Sequence, residues 1–251
     1  MNTLTAILNG VTKDENDNIL YFTFHASNAH LMNDKMEGAL LLDKFFTRSK
    51  HKNEYHELFA DMEKAEGEIY AISFCKSDDK TKDTGYIPMW GMYGDKGNGA
   101  ILVFDYDSLK EYLSHLDSTT LCKCEYNDSK TLKILLKQKN QEAKNVEDKT
   151  AFLSNLRDEA FRLKDKHWEY EDEWRILTKS HDSKLKCSYK GVVSYTEIKI
   201  PVKCLKTIIL GPLTDFDMCK NVLDMVISRL KEVDETIDQK INIKPSKLQM
   251  R

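Results

Sequence analysis

The sequence predicts an α+β fold, a mixed or antiparallel sheet with flanking helices. Three observations carry that expectation. Short runs rich in Val, Ile, Phe and Tyr occur both early and late in the chain, as strands require. A long stretch with helical spacing, at about 128–166, separates the two groups as an insertion. The order of these runs lacks the regular strand–helix alternation from which a doubly wound parallel sheet is built.

Taken in order, the chain opens on a helical segment, Leu4-Thr5-Ala6-Ile7-Leu8, and residues 19–24 form the first strand-like run. Helical spacing follows at 36–46 and 54–64, then strands at 69–75 and 100–104, and a helix at 108–115. The long helical stretch has weak points at Asn140 and Asn145. Strands at 192–200 and 206–210, a helix at 216–231 and a short strand at 241–243 complete the set.

Composition bounds the function. The chain has 251 residues, 41% hydrophobic and 31% charged, an ordinary globular balance rather than a disordered one. Its 38 basic against 41 acidic residues leave a charge of -3, which gives no general argument for nucleic-acid binding. Four prolines, no Gly/Ser-rich linker and no internal repeat predict a single domain over 1–251. No run approaches the ~20 apolar residues that span a bilayer, and the amino terminus lacks a charged leader and cleavage site. Six dispersed cysteines, most in apolar runs, fit reduced core residues. A cytoplasmic protein without a membrane partner is the expectation.

Three segments carry candidate chemistry. In the first, Asn33-Asp34-Lys35-Met36-Glu37 enters a helix; Asp34 and Glu37 have capping-box spacing, and a helix start beside polar groups also suits an anion. His25 lies just before it, at the end of the first strand-like run. In the second, Trp90 and Tyr93 are three apart, so one helical turn would put both rings on one side, either as core packing or as a stacking surface for a nucleobase or nicotinamide. The glycines after them precede a strand, which is not the order of a dinucleotide fingerprint.

The third segment, 166–177, contains Glu169, Glu171, Glu173, Trp174 and Arg175. If extended, alternation places Glu169, Glu171, Glu173 and Arg175 on one face and Trp168, Tyr170, Trp174 and Ile176 on the other. Close carboxylates repel unless solvated, paired with Arg175 or raised in pKa, and such a group suits general-base work or polarisation of a substrate hydroxyl. A solvated edge with one Glu–Arg ion pair is the structural alternative. Cys122-Lys123-Cys124 lacks a second ligand pair and His56-Glu57 lacks a second histidine, so neither spacing is that of a zinc site.

Together these segments resemble an uncharacterised bacterial group, the domain-of-unknown-function family numbered twenty-nine seventy-one. The residues that carry the resemblance are Asn33-Asp34-Lys35-Met36-Glu37, Ser73-Phe74-Cys75, Met89-Trp90 through Tyr93 to Gly99, Trp168 through Arg175, and Ile208-Ile209-Leu210-Gly211. The order of parts is also similar to that of ADP-ribosyltransferases. That likeness implies NAD as substrate, Glu173 or Glu171 polarising the nicotinamide-ribose hydroxyl, and Trp90 or Tyr93 stacking on nicotinamide. It brings Asn33, Asp34, Ser73, Trp174 and Arg175 into the expected binding set. Members of the domain-of-unknown-function family usually begin with a Tyr-containing strand, and transferases of this kind hold NAD through a His or Arg on their first strand; here the chain opens at a helix, which implies a shortened chain, a substitute such as His25, or lost activity. The implied partners are a small-molecule nucleotide and a nucleic-acid or protein acceptor, in the setting of a bacterial toxin or phage-defence effector. Two alternatives stand beside this reading: a non-catalytic ligand- or partner-binding module, and a metal-dependent nuclease using Asp34, Glu171 and Glu173.

Overall fold

A computed structural model describes residues 2–31, 39–48, 52–77, 83–85, 87–188, 191–235, 237 and 241–248. In chain order the first elements are α1 (Asn2–Asn9), β1 (Thr12–Lys13), β2 (Leu20–Asn28), α2 (Ala39–Arg48), α3 (Lys52–Glu66) and β3 (Glu68–Cys75). Then come α4 (Ile87–Met92), β4 (Ala100–Phe104), α5 (Tyr106–Ser114), β5 (Thr119–Lys123), β6 (Glu125–Asn127), α6 (Ser129–Asn145) and α7 (Lys149–Ala160). The last are β7 (Leu163–Asp165), β8 (Glu173–Ser180), β9 (Lys184–Ser188), β10 (Gly191–Pro201), β11 (Leu205–Leu210), α8 (Phe216–Val233) and β12 (Asn242–Pro245). The protein is α+β, with antiparallel pairing predominant; β11–β12 and β6–β7 pair in parallel.

The long helical stretch does break at Asn145, where Asp148 starts α7 by accepting the Ala151 N–H. It ends at Ala160, and residues 163–165 are a strand instead of more helix. Aspartates start three other helices in the same way: Asp105, Asp128 and Asp215 accept the N–H of Ser108, Thr131 and Met218. Each satisfies a backbone donor that the helix itself cannot. Asp215→Ala is expected to cost about 1 kcal/mol of stability, read from a urea melt of the purified chain.

The chain forms two compact units, interleaved in sequence. Unit one comprises Met1–Phe24, Ser77–His115 and Glu197–Arg251, and unit two His25–Lys76 and Leu116–Thr196.

In unit one, β11 pairs with β4 on one side and β12 on the other. The amphipathic α8 buries Cys219, Leu223 and Ile227, one stripe at four-residue spacing, in a cluster with Leu4, Phe22, Ile208, Leu210 and Ile243. Burying each large side chain contributes about 1.5–3 kcal/mol. Beyond β11 the backbone closes on the glycine-rich turn before β4: Gly211 N–H donates to Gly99 O (2.9 Å) and Leu213 N–H to Gly97 O (3.0 Å). A Cβ on Gly211 would lie 2.2 Å from the Gly97 carbonyl oxygen, so only glycine fits that approach.

In unit two β8 lies between β5 and β3, β3 pairs with the end of β2 at Ser27 and Asn28, and β10 pairs with β9, all antiparallel. Helices α2, α3, α6 and α7 pack together and share a core with the sheet through Phe45, Tyr55, Leu153, Ile69, Ala71 and Leu177. The fully buried Arg157 of α7 donates to Glu66 Oε2 (2.7 Å) and Gly67 O (3.2 Å), fixing α7 to the turn between α3 and β3.

A buried charge cluster at the open end of the unit-two sheet

Register determines what meets on the sheet. Strand β8 runs between β5 and β3; Arg175 lies opposite Ser73 on one side and Cys122 on the other, and Glu173 opposite Cys75. Side chains directly opposite share a face, and alternation extends that face along β8 through Glu173, Arg175, Leu177 and Lys179. On β2, Ser27 lies opposite Ala71, so His25, two residues earlier, belongs to the same face. Helices cover this face at Ile69, Ala71 and Leu177, whereas His25, Ser73 and Cys75 are exposed. The His25 ring lies 4.2 Å from that of Tyr195.

At the β5 side of this open end stands a cluster of buried charges. Glu171, Glu173, Lys164 and Arg175 are each at most 6% exposed. Arg175 donates from Nε to Glu173 Oε1 (2.7 Å), from Nη2 to Glu173 Oε2 (3.3 Å) and from Nη1 to the Phe161 carbonyl (2.9 Å). Lys164 Nζ donates to Glu173 Oε2 (2.6 Å) and also to Glu171 Oε2. Its ammonium lies 5.4 Å from the centre of the Trp168 ring. The Glu173 N–H donates to the Tyr126 hydroxyl (2.7 Å). Two cations thus meet two carboxylates.

Burial opposes ionisation of Glu173. The hydrogen bonds and charge of Arg175, followed by the hydrogen bonds of Lys164 and Ser73, outweigh it and hold the carboxyl below its ordinary value. The carboxylate is therefore a fixed negative acceptor, not a base waiting to be protonated. The Cys75 thiol moves the other way: desolvation, then the adjacent Glu171 and Glu173 carboxylates, push it up to about 12. It stays a thiol at neutral pH and is a poor nucleophile.

The local chain path differs from a continuous extended strand. Residues 166–171 form a 3-10 turn started by Asp165, whose carboxylate accepts the His167 N–H. Asp172 has a left-handed backbone (φ +39°) and redirects the chain, so that the strand starts at Glu173. Glu169 consequently points to solvent and takes no part in the cluster, while Glu171 turns inward. Trp174, one residue from Glu173, falls on the opposite face of β8, opposite Phe74 and Lys123.

Of the expected site residues, Glu171, Glu173, Arg175, Ser73 and His25 belong to this face and its rim. Asn33 and Asp34, with the capping box that starts at Asp34, lie outside the described residues. Trp90 and Tyr93 belong to unit one and differ in exposure. Trp90 is 1% exposed, and its indole N–H donates to the Thr84 carbonyl (2.8 Å), whereas Tyr93 lies just past the end of α4 and is exposed. An aromatic pair does occur beside the charge cluster, at Trp168 and Tyr170, with ring centres 5.9 Å apart.

Lys164 is the member that sequence reasoning missed. It falls where helical spacing continued, and its partners are seven and nine residues away, a separation that signals nothing in a helix or a strand. Its ammonium is what Glu171 and Glu173 hold in common. Among the described residues, no group of three or more His, Cys, Asp or Glu is arranged to hold a metal ion. No helix among them is long and apolar enough to cross a membrane.

No curated protein matches the chain. No solved structure matches it either. Residues 89–176 match the family model described as protein of unknown function (DUF2971), and that match holds both the Met-Trp segment and the Glu-x-Glu-Trp-Arg segment on which the resemblance rests.

Proposed function

We propose that unit two carries the active site of an NAD-consuming, ADP-ribosyltransferase-like enzyme, with Glu173 as its central carboxylate. The observation that supports this reading is a buried Glu173, its carboxyl held below its ordinary value, at the open end of a sheet face, hydrogen-bonded by Ser73 and sharing that face with His25. Loss of nicotinamide leaves positive charge on the ribose. A fixed carboxylate that accepts a ribose hydroxyl favours that charge without reorganising as it develops. Arg175 and Lys164 position the carboxylate, and Glu171 is held beside it by the same ammonium. A ligand arriving past Ser73 and Cys75 would displace the Ser73 hydroxyl from Glu173. Trp168 and Tyr170 take over the stacking role expected of Trp90 and Tyr93. The acceptor would be a nucleic acid or a protein, as for a toxin or phage-defence effector.

Incubation of the purified chain with NAD, with and without RNA, DNA or cell lysate, tests this through released nicotinamide. Release is expected, and Glu173→Gln should lower it at least about a hundredfold, the scale on which a single preorganised electrostatic group acts. Folded wild-type protein that releases none under any condition overturns the proposal. A second reading, a non-catalytic binding module, draws support from the saturation of Glu173, whose two oxygens are already engaged by Arg175 and Lys164. It expects nucleotide binding without turnover.

A further inference from the structure

We propose that α8 packs against the α8 of a second copy of this chain, antiparallel and about a two-fold axis at Val222. A helix on the surface of a globular core needs one apolar stripe, roughly 100° wide. Cys219, Leu223 and Ile227 meet that need, with Phe216 and Leu230 packed against the same cluster. At the helical repeat, Met218, Val222, Met225 and Val233 fall together on a further arc of about 80°, beside the buried stripe and clear of it. Met218 is 63% exposed, Val222 57%, Met225 60% and Val233 49%. Asp217, Lys220, Asn221, Asp224 and Ser228 occupy the remaining side. The helix thus has two apolar faces, and the core of unit one covers one of them. Large apolar side chains gathered on one exposed face mark an interaction surface.

The charges on the second face indicate what covers it. Asp215, which caps the helix, and Arg229 are both exposed and fall on the same arc. Asp215 lies seven residues before Val222 and Arg229 seven residues after it. An antiparallel copy whose Val222 meets Val222 therefore brings each Asp215 level with the partner's Arg229, about 10 Å to either side of the axis. The same pairing sets Met218 against the partner's Val226, four residues before and after the centre. One patch then complements itself, as an isologous contact requires. A parallel copy would instead set acid against acid and base against base. A single helix face lies at the small end of the range of interfaces, so the dimer is expected at micromolar concentrations. All these residues belong to unit one, so the inference is independent of the NAD reading.

Sedimentation velocity of the purified full chain, from low to several hundred micromolar, tests this and should show a monomer passing into a dimer. Val222→Glu sets two carboxylates against each other on the axis and should weaken the dimer by about a hundredfold or more. Its urea melt at low concentration should match the wild type, because Val222 is exposed. Arg229→Glu should weaken the dimer about tenfold or more. Adding Asp215→Asn, which keeps the cap and drops the charge, should recover part of that loss. A chain that stays monomeric at every concentration overturns the proposal, as does one that stays monomeric and instead floats with phosphatidylcholine–phosphatidylserine vesicles. A dimer that Val222→Glu leaves intact, or that Arg229→Glu does not weaken, overturns it equally.

Discussion

Lys164→Met is expected to destabilise the protein by about 3–5 kcal/mol and to reverse the sign of part of its pH dependence. In the wild type, one ammonium serves two carboxylates in an environment where all four charged groups are buried. Removing it leaves Glu171 and Glu173 within about 5 Å of each other without the ammonium they share, and an uncompensated buried charge is among the costliest defects a core can carry. The pH dependence follows from linkage. Wild-type Glu173 titrates in the folded state below its ordinary 4.5, so the stability it contributes is present above that value and is lost as pH falls through the lower folded value. In Lys164→Met the paired carboxylates repel, and one of them holds a proton in the folded state that the unfolded chain has released. Stability then falls as pH rises above the ordinary carboxylate value. Urea melts across the acidic range read both effects. A variant with wild-type stability and wild-type slope would show that Lys164 does not compensate this pair.

The same cluster shows where legibility in the sequence ended. Period and residue type placed β4, β11 and α8 within a residue or two, because each is a local apolar pattern with a clear stop: Asp105 after β4, Gly211 after β11, Asp215 before α8. The Glu-rich segment reads as candidate chemistry from its residue types and their alternation. Its geometry was not legible, because Asp165 and Asp172 impose a 3-10 turn and a left-handed residue on what reads as an alternating strand. Strand β5 is short, and its place beside β8 is set by pairing with residues more than fifty positions later. The convergence of Ser73, Cys122 and Arg175 is likewise a product of register, which no window of sequence contains. Asp34 and Glu37 read clearly as a helix start, and they lie outside the described residues.

Trp90→Ala is expected to cost about 3–5 kcal/mol, the range for removing a large aromatic from a packed interior, whereas Tyr93→Ala should stay within about 0.5 kcal/mol. The two residues sit three apart in one motif and resemble a matched pair, but the surroundings separate them. Trp90 is almost wholly enclosed, and its one polar atom is satisfied by the Thr84 carbonyl. Two glycines of the same segment make room for its ring: a Cβ on Gly94 would lie 2.4 Å from Trp90 Cε3, and one on Gly85 would lie 2.6 Å from its Nε1. Glycines at these positions are thus explained by packing against the indole, with no need for a bound phosphate. Tyr93 is 62% exposed, so its removal forfeits little buried surface. A urea melt of each variant beside an assay of NAD binding separates structure from recognition. If Trp90→Ala melts like the wild type yet loses NAD, the indole is a ligand platform after all; if it melts early while Tyr93→Ala does not, the motif is the core of unit one, and the nucleotide must be sought at Trp168 and Tyr170.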